Sequence, residues 1–165
     1  MSKPKKPREC QPCTACCDGW LQGVIGGIPI YPGHGCPDSS DKCENYENRQ
    51  QDPCRSFNCA WIVEGSKLPE WMKPDNSKAI VVLNKWKWNG HPVDLAVPVG
   101  RRIPPRTLKL LMEYAEKNQR LLIYSEQVME NGEYTKQQNF TGYGPPAFQE
   151  DMIKWREDGR VFKGL

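Results

Sequence analysis

From residue 79 onward the hydrophobic positions follow two periods in turn. Ala79-Ile-Val-Val-Leu83 is a continuous apolar run of strand length. Val93, Leu95, Val97 and Val99 recur at every second residue, so they share one face of a second strand. Asn89-Gly90 between them is the dipeptide of a tight hairpin turn. Pro104-Pro105 then opens a helix that carries Leu108, Leu111, Met112 and Ala115 on one side. Proline suits that place because the first amides of a helix have no intrahelical partner. The order recurs in Leu121-Leu-Ile-Tyr124, in the turn Asn131-Gly132 and in a returning strand from Glu133 to Phe140. A helix then opens at Pro145-Pro146, carries Phe148, Met152 and Trp155 on one face, and ends at Asp158-Gly159. The repeat distance is about forty residues. This pattern predicts a ββα-ββα arrangement, an antiparallel sheet with both helices on one face.

Before residue 60 the periodicity is lost. Gly23, Gly26, Gly27, Pro29, Pro32, Gly33, Gly35 and Pro37 disfavour a helix, and Leu21 to Tyr31 leaves room only for a short hairpin. Such a loop-rich stretch buries too little apolar area to hold its own shape and calls for a staple. Residues 61–78 read as a connector punctuated by Pro69 and Pro74, with Trp61 and Trp71 packing it against its neighbours. Residues 1–9 read as a disordered basic tail. The expected organisation is therefore α+β: a tail over 1–9, a cysteine-rich module over 10–62, and a sheet-and-helix region over 63–165 packed with the module as one domain.

Composition changes this picture at one point. All eight cysteines of the 165-residue chain fall between residues 10 and 59. No apolar run reaches the roughly 18 residues of a transmembrane helix, and the basic, proline-rich start has no apolar segment behind it of the kind a secretory signal needs. These features point to the cytosol and to no membrane partner. In a reducing compartment, cysteines at CxxC spacing bind metal more readily than they form disulfides. The formal charge of +3 counts cysteine as neutral; eight thiolates and two zinc ions would bring it to −1. The apparent basicity is thus no argument for nucleic-acid binding.

The cysteines are Cys10, Cys13, Cys16, Cys17, Cys36, Cys43, Cys54 and Cys59. Cys10/Cys13 and Cys13/Cys16 have the spacing that turns two sulfurs toward one ion, and Cys54 and Cys59 can do the same on a turn. Cys16 and Cys17 are adjacent, with α-carbons about 3.8 Å apart and side chains that diverge. They do not easily fill two corners of one tetrahedron, which predicts two neighbouring four-thiolate zinc sites. A bridging thiolate, or one site with spare cysteines, is the next arrangement. A [4Fe–4S] cluster is the alternative cofactor: Cys10, Cys13 and Cys16 match the first three ligands of a ferredoxin run, but the fourth cysteine is not where that pattern puts it.

The run Cys10-x-x-Cys13-x-x-Cys16-Cys17, followed by Cys36-Pro37, Lys42-Cys43-Glu44-Asn45-Tyr46 and Cys54-Arg55-Ser56-Phe57-x-Cys59, resembles the YkgJ-type family, the CxxCxxCC zinc- or iron-chelating domain. The resemblance covers roughly residues 10 to 62. It implies a cytoplasmic metal-binding protein of bacterial or phage type. Some members of that family carry the cluster beside flagellin lysine methylation, but this chain is short for that job and shows no glycine-rich cofactor loop. It also departs from such members in Asn48-Arg49-Gln50-Gln51-Asp52-Pro53, where they have Arg-Pro ahead of the Cys54-type position.

Other candidates carry less. His34 is an alternative zinc ligand, although eight thiolates already suffice for two sites, and His91 reads as structural. Asp18, Asp38 and Asp41 read as solvated loop carboxylates unless a metal keeps an open position for acid–base work. Lys85-Trp86-Lys87-Trp88 alternates, which sends the tryptophans under the helices and Lys85 and Lys87 into water. With Arg101 and Arg102, and with Arg106 and Lys109 nearby, the lysines make a candidate anion or nucleic-acid surface. There is no phosphate-binding loop, no HExxH and no Ser-His-Asp arrangement with supporting context. Three functions follow: structural zinc beneath a surface for an unknown macromolecular partner, an iron or iron–sulfur protein with a redox or enzymatic role, and a nucleic-acid-binding module.

Overall fold

The computed structural model describes Arg8, Cys13, Ala15, Glu47 and residues 17–25, 27–37, 59–63 and 66–157. It is an α+β fold around a four-stranded sheet, with a separate two-stranded hairpin in the cysteine-rich segment. The hairpin pairs β1 (Gly23–Ile25) with β2 (Ile28–Ile30), inside the stretch that sequence reserved for it. A 3-10 turn (Glu70–Met72) and a one-turn helix α1 (Pro74–Ser77) lead into the sheet. Then come β3 (Ala79–Trp88), β4 (His91–Pro98), α2 (Pro105–Lys117), β5 (Leu121–Glu130), β6 (Glu133–Tyr143) and α3 (Pro146–Glu157).

The ββα order thus occurs twice. Both hairpins turn on the predicted dipeptides: φ is +48° at Asn89 and +80° at Gly90, then +52° at Asn131 and +77° at Gly132. Positive φ at both central residues is the turn whose twist matches that of paired strands. The sheet itself corrects the expectation. Its order is β3-β4-β5-β6, and the central pair β4–β5 is parallel, so the sheet is mixed rather than antiparallel. The reason lies in the connection. A two-residue turn can only reverse the chain, whereas α2 carries it back along the sheet before β5 begins.

The helices also lie on opposite faces. One face presents Ile80, Val93, Leu95, Val97, Leu121, Ile123 and Phe140 to Phe148 and Met152 of α3. The other presents Ala79, Val81, Ala96 and Leu122 to Leu111 and Ala115 of α2. The second hairpin runs in the opposite direction to the first, so a ββα unit of the same hand delivers its helix to the other side. The cysteine segment shares the α3 face: Cys13 and Ala15 are buried in that cluster, with Trp20 and Leu21 against it. The connector closes the α2 face with Ala60, Trp61, Leu68 and Met72. Each face of the sheet is thus sealed partly by a helix and partly by chain from before residue 73.

Candidate metal centre

Two short segments of the cysteine-rich region lie flush against each other. The amide N–H of Cys36 donates to the carbonyl of Cys17 at 2.6 Å, which makes these two cysteines neighbours across the contact. Tyr31 and His34 exchange backbone hydrogen bonds of 3.0 and 2.7 Å around Pro32-Gly33, turning the chain so that Cys36 reaches Cys17. Glycine permits the approach at two places. A β-carbon at Gly19, where φ is +90°, would lie 2.3 Å from the Tyr31 carbonyl oxygen, and one at Gly35 would lie 3.0 Å from the Cys17 carbonyl oxygen. No larger residue fits at Gly19.

Cys13 and Cys59 sit deeper. Burial pushes the Cys13 thiol above its ordinary pKa; the amides of Ala15 and Asp75 and the charge of Lys73 act the other way, while the Asp75 carboxylate adds to the rise. Burial likewise raises the Cys59 thiol, opposed by the amides of Ile62, Trp61 and Cys59 itself and by Arg8. Ala60 donates to Val81 at 2.7 Å, so Cys59 is fixed at the free edge of β3. Both sulfurs therefore face an N–H from the residue two positions on, Ala15 for Cys13 and Trp61 for Cys59. Such amides favour the thiolate, the form that binds metal.

Cys10, Cys16, Cys43 and Cys54 lie outside the described residues, as do Asp38 and Asp41. Among the described residues no three His, Cys, Asp or Glu side chains converge on one point. Cys13, Cys17, Cys36 and Cys59 carry no disulfide. His34 is exposed, its ring tilted against that of Tyr31 at 4.3 Å between centroids. Asp18 is exposed too.

The basic surface divides. Lys85 and Lys87 are exposed, while Trp88 donates its indole N–H to Asp151 at 2.7 Å and meets Phe148 edge to face. Lys87 pairs with Pro92 near the start of β4, whereas Arg101 and Arg102 follow its other end. Six strand residues, roughly 20 Å at about 3.3 Å each, separate the two pairs. Arg102 is ion-paired with Glu126 at 2.6 Å, and Arg106 lies 4.2 Å over the Trp71 ring.

Three features escaped the sequence reading. Arg8, expected in a free tail, donates to the carbonyls of Trp61 at 2.7 Å and Leu68 at 2.5 Å, pairs with Glu70 at 3.2 Å, and lies 4.7 Å over the Trp61 ring. No local pattern marks it. Asp75 approaches Cys13 from the connector. Asp94 and Arg120 form a buried pair whose members look like surface charges in the sequence. Among the described residues no helix is long and apolar enough to cross a membrane. No protein-family model, curated protein or solved structure matches the chain.

Proposed function

We propose that the chain is a cytosolic metal-binding protein whose cysteinates hold zinc, with the metal in a structural role beneath a surface for another macromolecule. The observation that carries this reading is the pair of sulfurs, Cys13 and Cys59, that each face the amide two residues on. Those amides offset part of the cost of ionising a buried thiol, and a bound cation would supply the rest. The contact between Cys17 and Cys36 supports it, because it joins the vicinal pair to a cysteine some twenty residues away without a disulfide. The spacing and the resemblance to the CxxCxxCC domain supply the remaining ligands: Cys10, Cys16, Cys43 and Cys54.

Bound zinc would cross-link the segment through these sulfurs and hold it on the α3 face of the sheet. The chain's own part is to bring the cysteines together, to lower the cost of their charge through amides, and to exclude water with Ala15, Trp20 and Leu21. Four-thiolate sites leave no position for a substrate, which favours a structural over a catalytic role.

Metal analysis of protein purified without oxygen tests this. The expected result is a colourless protein with about two zinc ions, and Cys17→Ser should lose one more than the other. A brown protein containing iron and acid-labile sulfide would overturn the zinc reading in favour of an iron–sulfur protein.

A further inference from the structure

We infer that residues 158–165 add a strand to the free edge of β6, with Val161 and Phe162 entering apolar clefts on the two faces of the sheet. Nothing in this depends on the metal sites. Among the described residues β6 has a strand on one side only, whereas the other edge of the sheet is met at β3 by the Ala60 N–H on the Val81 carbonyl. β6 is 11 residues long and holds no proline. An open edge of that kind is a template for another strand.

Both faces of this edge carry a cleft. On the α3 face a cavity of about 220 Å³ lies between Ile123, Phe140, Gln149, Met152 and Ile153. It is smaller than the roughly 300–1,000 Å³ of small-molecule sites, and it suits one large side chain. Ile153 at its rim is 49% exposed. On the α2 face Leu108, Met112 and Tyr143 line a more open cleft, rimmed by Glu113 and Glu116. A strand laid along β6 sends neighbouring side chains to opposite faces. Two adjacent apolar residues would therefore fill one cleft each, the way an added strand gains specificity.

The chain carries such a pair directly after α3. α2 ends at Lys117, and Asn118-Gln119-Arg120 lead into Leu121-Leu122 of β5. α3 ends at Glu157, and Asp158-Gly159-Arg160 precede Val161-Phe162. Gln119 takes φ +53° in the first connection. The matching residue of the second is glycine, which adopts positive φ without strain. Extended chain from Glu157 to Phe162 spans up to roughly 16 Å at about 3.3 Å per residue, and Ile153 is only about 6 Å back along the helix. Arg160 and Lys163, on either side of the apolar pair, complement the charge of Glu113 and Glu116 on the rim.

The hand of the fold agrees. β5 pairs parallel with β4 on the side toward β6, after a crossover through α2. β6 runs opposite to β4, and α3 covers the opposite face from α2. Reversing both direction and face preserves handedness. A parallel strand after α3 that keeps the near-universal hand of such crossovers therefore lands outside β6.

The test compares the full chain, a chain ending at Glu157, and the full-length variants Val161→Asp and Phe162→Asp by amide hydrogen exchange, nuclear Overhauser contacts and sedimentation. In the full chain, residues 161–164 should be protected and should show cross-strand contacts to β6 in a monomer. Removing residues 158–165 should make the outward amides of β6 exchange about tenfold faster, as expected for the loss of one hydrogen bond each, while β4 and β5 keep their protection. Phe162→Asp and Val161→Asp should each reproduce part of that loss. The full-length measurements decide the matter even where the shortened chain does not fold. Residues 161–164 exchanging like an unstructured peptide in the full chain would overturn the inference. So would a dimer whose β6 contacts survive removal of residues 158–165, which would make a second copy the occupant. Contacts that appear only between differently labelled chains would overturn the strand within one chain.

Discussion

Asp94 and Arg120 form a two-pronged ion pair, with Arg120 Nε on Asp94 Oδ2 and a terminal nitrogen on Oδ1, both at 2.7 Å. The Asp94 side chain is 4% exposed and that of Arg120 18%, so the pair is held largely out of water. Asn84, at φ +56° in the irregular part of β3, adds its backbone N–H to Oδ1 at 2.9 Å and accepts from Arg120 with its side chain. The pair joins the bulge of β3, the middle of β4 and the exit of α2. Asp94 raises the pKa of Arg120 above its ordinary value through their hydrogen bonds, which keeps the guanidinium charged. Removing one partner strands the other's charge. Asp94→Ala should therefore cost about 3–5 kcal/mol in urea unfolding. The double variant with Arg120→Ala should be less destabilised than the sum of the two single variants.

The α3 face tolerates no added volume where glycine meets the helix. A β-carbon at Gly142 would lie 2.8 Å from Met152 Cγ, and one at Gly144 would lie 2.7 Å from Leu121 Cδ2 and 2.8 Å from Phe148 Cδ1. Gly142→Ala should destabilise by about 1–3 kcal/mol, and Phe148→Ala, in a fully buried position, by about 3–5 kcal/mol. Urea midpoints at constant slope would check both.

These cases separate what the sequence made legible from what it hid. The hairpins were readable because Asn89-Gly90 and Asn131-Gly132 are local signals, as were the helix starts at the paired prolines and the shared face of Val93, Leu95, Val97 and Val99. The parallel β4–β5 pair was not, because nothing in either strand records which neighbour it takes. Asp94 alternates onto the opposite face from Val93 and Leu95 and so reads as solvated; only the parallel register, which sets it beside Leu122, brings Arg120 within reach. Arg120 is positioned by a helix end that lacks the usual glycine. Gln119 takes φ +53°, and Arg120 N–H returns to Ala115 at 2.8 Å. At the candidate metal centre, spacing alone nominated the cysteines as ligands. That Asp75 faces Cys13, and Cys36 faces Cys17, follows from tertiary contacts that no spacing encodes.

Tyr143 and Glu116 tie the end of β6 to α2 through a hydrogen bond from the phenol to the carboxylate. That bond, with a little help from desolvation and the negative charge of Glu116, raises the Tyr143 pKa above the ordinary tyrosine value of 10.0. The protonated phenol is the form the fold favours. The contribution is therefore fully present below pH 10.0 and is lost as pH rises through the raised value. An ultraviolet titration should show one tyrosine ionising later than the rest, and Glu116→Gln should move it back toward the ordinary range.

Arg8 should matter far more than its place near the start of the chain suggests. It donates to two carbonyls, of Trp61 and Leu68, and lies over the Trp61 ring, while Lys73 approaches the same ring at 5.4 Å. Hydrogen bonds from a charged donor contribute about 1.5–3 kcal/mol. Arg8→Ala should lower stability by about that amount, and limited proteolysis should cut near Trp61 sooner than in the wild type. Arg8→Lys should rescue little, because one ammonium cannot span both carbonyls in the fork geometry of a guanidinium.

Metal removal should open one part of the protein and leave another closed. The strand pairings of β3 to β6 contain no cysteine, and Leu111, Ala115, Phe148 and Met152 pack on residues of those strands, so chelation under reducing conditions should leave far-UV circular dichroism from the sheet and helices largely intact. On the proposed zinc reading, the metal would hold the cover that Cys13, Ala15, Trp20 and Leu21 lay over the α3 face. Its loss should raise binding of a hydrophobic dye and change the fluorescence of Trp20, whose ring now meets Tyr134 edge to face at 5.0 Å. Acid should mimic the chelator. Protons compete with zinc for thiolates, and burial raises the Cys13 and Cys59 thiols. Release should therefore begin at a higher pH than for exposed cysteines and proceed as pH falls. A dye-binding transition that follows zinc release with unchanged circular dichroism would confirm the division. Simultaneous loss of the sheet signal would show that the cysteine segment and the sheet fold as one cooperative unit.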